Sequence, residues 1–114
     1  MPADRVEGTP LFAADGERLG TLVDLVIYKP RGRIAYGVLA FGGMLGFGRR
    51  YRAIPWDLMA YDMGERGYVT SLSREDLVLA PEFDPFELDG WNDGPARLAL
   101  YRHYGPLGAK PYWT

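Results

Sequence analysis

Between Arg33 and Arg49 the chain runs for fifteen residues without a charge, Ile34 to Gly48 (IAYGVLAFGGMLGFG), and then continues as Arg49-Arg50-Tyr51-Arg52-Ala53-Ile54-Pro55-Trp56. As a helix this run spans about 22 Å against roughly 30 Å of bilayer hydrocarbon, and its glycines weaken a helix further, so no membrane span is expected. The first half, β-branched and aromatic, reads as a buried strand. Gly42, Gly43, Gly46 and Gly48 read as a corner in a tightly curved sheet, with Met44, Leu45 and Phe47 tucked inward or meeting a partner. A phosphate-binding loop fails on two counts. The glycine spacing lacks the Lys-Ser/Thr ending, and a strand rather than a helix N-terminus follows.

The 114 residues suffice for one compact domain, and 47% hydrophobic content supplies a core. Fifteen glycines and nine prolines divide the chain into short elements, favouring strands over long helices. There is no cysteine, so stability rests on packing without disulfides, which suits a cytoplasmic location. The first eight residues lack the basic and apolar regions of a signal peptide.

A short strand is expected from Gly8 to Ala13, a turn at Asp15-Gly16, and a strand from Thr21 to Tyr28. In that second strand Val23, Leu25 and Ile27 form a wholly apolar face. Asp24 stands on the mixed face, either as a solvent-facing carboxylate or as a buried one with a raised pKa. Lys29-Pro30-Arg31-Gly32 turns the chain into an antiparallel return over Arg33–Phe41, and Tyr51–Ile54 forms the next strand. Segments from Leu58 to Asp62 and from Tyr68 to Leu72 make a final hairpin. Ser73-Arg74-Glu75-Asp76 then opens a capped helix that runs to Ala80.

The motifs Gly20–Asp24 (GTLVD), Arg31-Gly32-Arg33-Ile34, Phe41-Gly42-Gly43, Ala53-Ile54-Pro55-Trp56 and Ser73–Leu77, in this order, resemble the PRC-barrel domain. That family is similar to the cytoplasmic domain of the photosynthetic reaction-centre H subunit and to the C-terminal domain of the ribosome-maturation factor RimM. The resemblance implies a mainly β fold, a small, strongly bent barrel of about six strands that serves as a docking module without catalysis. These residues include neither the H subunit's membrane anchor nor the maturation factor's N-terminal RNA-binding barrel.

The barrel domain is assigned to residues 1–83 and a partly helical, aromatic extension to 84–114. In the extension a helix runs from about Asn92 to Tyr104 with Gly105 as its C-cap. Leu98, Tyr101 and Tyr104 form its buried stripe, flanked by Leu100. Tyr112 and Trp113 either cover the chain's own barrel or anchor a second subunit or partner.

Charge is uneven. Residues 25–56 carry six basic side chains (Lys29, Arg31, Arg33, Arg49, Arg50, Arg52) and no acidic one, although the whole chain has net charge −2. These cations either pair with the acidic remainder or mark an anionic partner such as RNA. One histidine and no cysteine leave no metal site, and neither Ser71 nor Ser73 sits in a nucleophile elbow that His103 could serve. No catalytic residue, metal or cofactor is therefore assigned. The expected function is a protein-interaction or adaptor module acting as a homodimer. Its candidate surface comprises Arg49, Arg50, Arg52, Met44, Leu45, Phe47, Tyr112 and Trp113. The alternative is an RNA- or ribosome-associated factor binding through residues 25–56.

Overall fold

In the computed structural model, residues 8–42, 49–82 and 94–111 are described. Six strands, β1 (Thr9–Ala13), β2 (Arg18–Tyr28), β3 (Arg33–Gly42), β4 (Arg49–Pro55), β5 (Met59–Asp62) and β6 (Gly67–Thr70), are joined by two helices, α1 (Arg74–Val78) and α2 (Gly94–Tyr104). The sheet order is β4-β3-β2-β1-β6-β5, and the sheet curls into a half-barrel with β4 and β5 at its edges. All neighbours are antiparallel except β1 and β6, which run parallel.

Turn chemistry sets the hairpins. Gly16, at φ 91°, donates its N–H to the Ala13 carbonyl, and Asp15 Oδ1 accepts the Glu17 N–H. The ladder therefore closes against this turn, and β2 starts at Arg18 rather than at Thr21. The β2–β3 turn is a single 3-10 turn over Lys29–Arg31, ended by Gly32 at φ 60°. In the last hairpin Asp62 Oδ1 accepts the N–H groups of Gly64 and Glu65. The corner expected over Gly43–Gly48 lies outside the described residues.

The wholly apolar face expected for β2 does not form. Register shifts between Leu22 and Asp24 and between Val26 and Ile27 mark two irregularities in the β2–β3 ladder. Each breaks the strict alternation on which the expectation rested, and Ile27 ends up 57% exposed while Leu22 is fully buried. The core packs Leu11, Leu22, Leu39, Ile54, Leu72 and Leu77 against one another. Gly37, in mid-β3, sits against the core, and a Cβ there would lie 2.9 Å from the Met59 methyl and 3.1 Å from Leu22, so that the flexible end of Met59 would have to shift.

Helix α1 has the expected capping box. Ser73 Oγ accepts the Asp76 N–H at 3.1 Å, and Asp76 Oδ2 accepts the Ser73 N–H at 2.9 Å. It ends at Val78 rather than Ala80, where the chain tightens and the Ala80 N–H reaches the Leu77 carbonyl. In α2 the buried side chains are Leu100 and Tyr104, with Arg97 and Tyr101 half-buried beside them, while Leu98 is 62% exposed. The spacing 97, 100, 101, 104 is one helical face, and Leu98 lies off it. Gly105 does not cap α2. With Pro106 behind it, it opens a 3-10 turn that ends at Gly108, φ 110°.

Candidate interaction surfaces

Of the cations between 25 and 56, Lys29, Arg31 and Arg33 are exposed at the β2–β3 turn, and Arg50 is exposed opposite Phe41. Strand β3 separates the two groups by roughly 26 Å at about 3.3 Å per residue, so they occupy its two ends rather than one face. Among the described residues, Lys29, Arg31 and Arg50 meet no carboxylate; the ion pair present is Arg74 Nε to Glu17 Oε1 at 2.7 Å, on the surface.

Arg52 leaves the candidate surface altogether. It is 3% exposed, and its Nε donates to the Leu77 carbonyl at 2.9 Å while Nη1 donates to the Tyr51 carbonyl at 3.0 Å. Its guanidinium lies 5.2 Å from the centre of the Phe41 ring. Its burial goes with its place in β4, where Arg52 to Pro55 are all buried on both faces and the Arg52 side chain reaches the end of α1. The last carbonyls of a helix have no partner within it, and α1 is only five residues long. Arg52 satisfies one of them, and His103 Nε2, 2.7 Å from the Asp76 carbonyl, satisfies another. A carbonyl only accepts, so Nε2 carries the proton there. Two cationic or polar donors at a helix C-terminus also suit its dipole. Period-two spacing does not single out Arg52, since Arg50 has the same parity and is exposed. The His103 contact had no sequence signal, since it joins residues 27 apart.

Tyr104 packs in the same joint. Its hydroxyl is buried with no hydrogen-bond partner among the described residues, and burial pushes its pKa up. The nearby Asp76 carboxylate adds to that rise and the Arg52 guanidinium opposes it. Burial also raises Tyr68, whose ring stacks edge-on against Tyr61 at 5.3 Å.

Asp24 is exposed, with Oδ1 accepting the Leu25 N–H at 2.8 Å, which overturns its reading as a buried carboxylate. The register shift beside it turns this part of β2 outward. Met44, Leu45, Phe47, Tyr112 and Trp113 lie outside the described residues, as does the Arg49 side chain.

A cleft of about 520 Å³ opens where the start of β3 meets α2. Ile34, Trp56 and Tyr101 give it apolar walls, and Arg33, Asp57 and Lys110 bring charge to it. Lys110 bridges two of these walls through its backbone. Its N–H donates to Asp57 Oδ2 at 2.8 Å, and its carbonyl accepts from the Tyr101 hydroxyl at 3.1 Å. Elsewhere Tyr61, Met63, Val78, Leu79 and Leu98 are exposed apolar side chains. Among the described residues no three His, Cys, Asp or Glu side chains gather to hold a metal, and no helix is long and apolar enough to cross a membrane.

A solved structure of a Pseudomonas aeruginosa protein described as a 16S ribosomal RNA processing protein, RimM, is similar at 15% identity and a TM-score of 0.45. The match covers 66% of this chain and 45% of that one, so the chain spans less than half of that relative. No curated protein matches. The profile of the PRC-barrel domain matches residues 1–77, from the first strand into α1, and the chain belongs to the PRC-barrel family.

Proposed function

We propose that this chain is a non-catalytic protein-interaction module that works as a homodimer. The observation that carries the reading is the open sheet. Among the described strands, β4 and β5 each pair on one side only, and an open edge offers backbone donors and acceptors to another strand. The β5 edge suits self-association better than the β4 edge. It presents Ala60 and the partly exposed Tyr61, with Met63 84% exposed just beyond, whereas β4 begins with two arginines. Like charges facing each other across a two-fold axis oppose pairing at β4. Sedimentation at roughly 50 µM, well above a micromolar Kd of about 8 kcal/mol, should give a dimer. Tyr61→Lys should give a folded monomer. A monomeric wild-type chain at that concentration removes the proposal.

A second reading, binding to RNA, is favoured by one observation, that Lys29, Arg31 and Arg50 meet no carboxylate among the described residues. Its test is anisotropy of a labelled structured RNA across a salt series. Each phosphate neutralised adds roughly 0.7–0.9 to the log–log slope, so Arg31→Glu with Arg50→Glu should flatten it by about that amount per site. Arg52 is left intact, because changing it perturbs the core. Absence of binding at low salt eliminates this reading.

A further inference from the structure

We infer that the tip of the β2–β3 hairpin docks on an anionic lipid surface, with its cations at the headgroups and Ile27 among the upper acyl chains. The ladders leave this tip standing out from the sheet. Strand β1 pairs with β2 only from Arg18 to Leu22, and β4 pairs with β3 only from Tyr36 to Gly42. Beyond them Ile27 and Tyr28 pair with Ile34 and Arg33, with no third strand beside them among the described residues. From Leu22 to Tyr28 the tip therefore reaches about 20 Å past the last β1 contact, at roughly 3.3 Å per residue.

The tip is amphipathic and preformed. Lys29, Pro30, Arg31, Gly32 and Arg33 are exposed in succession, and Ile27 beside them is 57% exposed. Pro30 sets its own φ, and Gly32 at φ 60° closes the 3-10 turn with its N–H on the Lys29 carbonyl. Little backbone entropy is left to lose on meeting a surface. At the base, the Arg97 guanidinium of α2 stands 5.9 Å from the centre of the Tyr28 ring. The carboxylates at the base are Asp24, back along β2, and Asp57, which shares a cleft wall with Arg33 and accepts the Lys110 N–H.

The aliphatic part decides between two polyanions. A nucleic acid also attracts Lys29 and Arg31, but an isoleucine has no π face to stack on a base and gains nothing from a phosphate backbone. In a bilayer the same side chain leaves water while the neighbouring cations stay at headgroup level. Each such cation raises partitioning onto anionic lipid about fivefold. Arg50, about 26 Å away along β3, lies beyond the Debye length of roughly 10 Å at 0.1 M salt and takes no part. The inference is independent of dimerisation through β5.

The test is co-sedimentation of the full chain with excess sucrose-loaded vesicles, of phosphatidylcholine alone or with about one-third phosphatidylserine. The protein should pellet with the anionic vesicles and not with the neutral ones, a difference of about 100-fold for three cations. Lys29→Gln with Arg31→Gln should weaken binding about 25-fold, and Ile27→Ser about tenfold at unchanged charge. Arg50→Gln, also a loss of one charge, should change it by less than about twofold. All four positions are exposed, and circular dichroism checks that each variant folds. Absence of wild-type binding to the anionic vesicles overturns the inference whatever the variants do. So does an equal loss for Arg50→Gln and Arg31→Gln, which marks diffuse charge attraction, or wild-type binding by Ile27→Ser, which marks headgroup contact without insertion. A structured RNA that binds wild type and Ile27→Ser alike, while the vesicles bind neither, also removes it in favour of the RNA reading.

Discussion

Arg52 is the position where composition and structure diverge most, and its replacement separates two energetic contributions. The side chain is 3% exposed and meets two carbonyls and a ring, with no carboxylate. Arg52→Ala removes two buried stem methylenes, Cγ and Cδ, about 1.6 kcal/mol at roughly 0.8 each. It also removes a hydrogen bond to Leu77 worth about 1 kcal/mol and a ring contact of about 1 kcal/mol. Release of a buried charge offsets roughly 1 kcal/mol or more of this. The expected net loss is about 2.5 kcal/mol, which in a chain of this size lowers Tm by about 10 °C or more. Arg52→Met keeps most of the stem, discards the charge, and should stay within about 1 kcal/mol of wild type. Urea unfolding followed by circular dichroism measures both. If methionine is as damaging as alanine, the carbonyl contacts rather than the stem hold α1, and the reasoning fails. A loss under 1 kcal/mol for alanine would falsify the buried position itself.

Further expectations concern the same joint. Tyr104→Phe removes a buried hydroxyl without a partner among the described residues and should stabilise the protein by about 1 kcal/mol at neutral pH. Its native pKa is raised, so the folded chain keeps a proton that the unfolded chain releases near pH 10. Stability is therefore complete below about pH 10 and falls as pH rises through that value toward the native one. Tyr104→Phe should flatten that fall, and equal slopes for the two proteins contradict the assignment. Ser73→Ala should cost about 1 kcal/mol through loss of the α1 cap, read from the urea midpoint.

Features written in adjacent residues were legible in the sequence. The Asp15-Gly16 and Lys29–Gly32 turns, the Ser73/Asp76 capping box and the strand count depend on local dihedral preferences and on side chains reaching the neighbouring backbone. Features set by register were not. The irregularities at Val23 and near Ile27 depend on how β2 seats against β3, so alternation alone placed Ile27 inside. The same limit applied to the candidate surface. Arg50 and Arg52 look equivalent in sequence, yet one is in solvent and the other under α1, because only the second lies where a helix end needs a donor. In α2, Leu98 and Leu100 differ by two positions, and only a partner surface decides which of them is buried.

That partner surface makes residues beyond the PRC-barrel match part of the fold's energetics. The family match ends at residue 77, yet Leu100 and Tyr104 belong to the same core cluster as Leu11 and Leu39. His103 completes the end of α1, and Lys110 is bonded to Asp57. Cutting the chain after Glu82 removes all of these. Burial of Leu100 contributes about 1.5–3 kcal/mol, and a buried tyrosine ring of 150–250 Å² about 4–6 at 25 cal/mol per Å². Against this stands roughly 1–3 kcal/mol for the unbonded Tyr104 hydroxyl. The net loss, about 5 kcal/mol, matches the lower end of whole-domain stabilities. The shortened chain should therefore be largely unfolded at 25 °C, with lost near-ultraviolet circular dichroism and no cooperative urea transition. A chain ending at Glu82 that unfolds cooperatively at the full-length midpoint would show instead that the half-barrel stands alone and that α2 is only laid upon it.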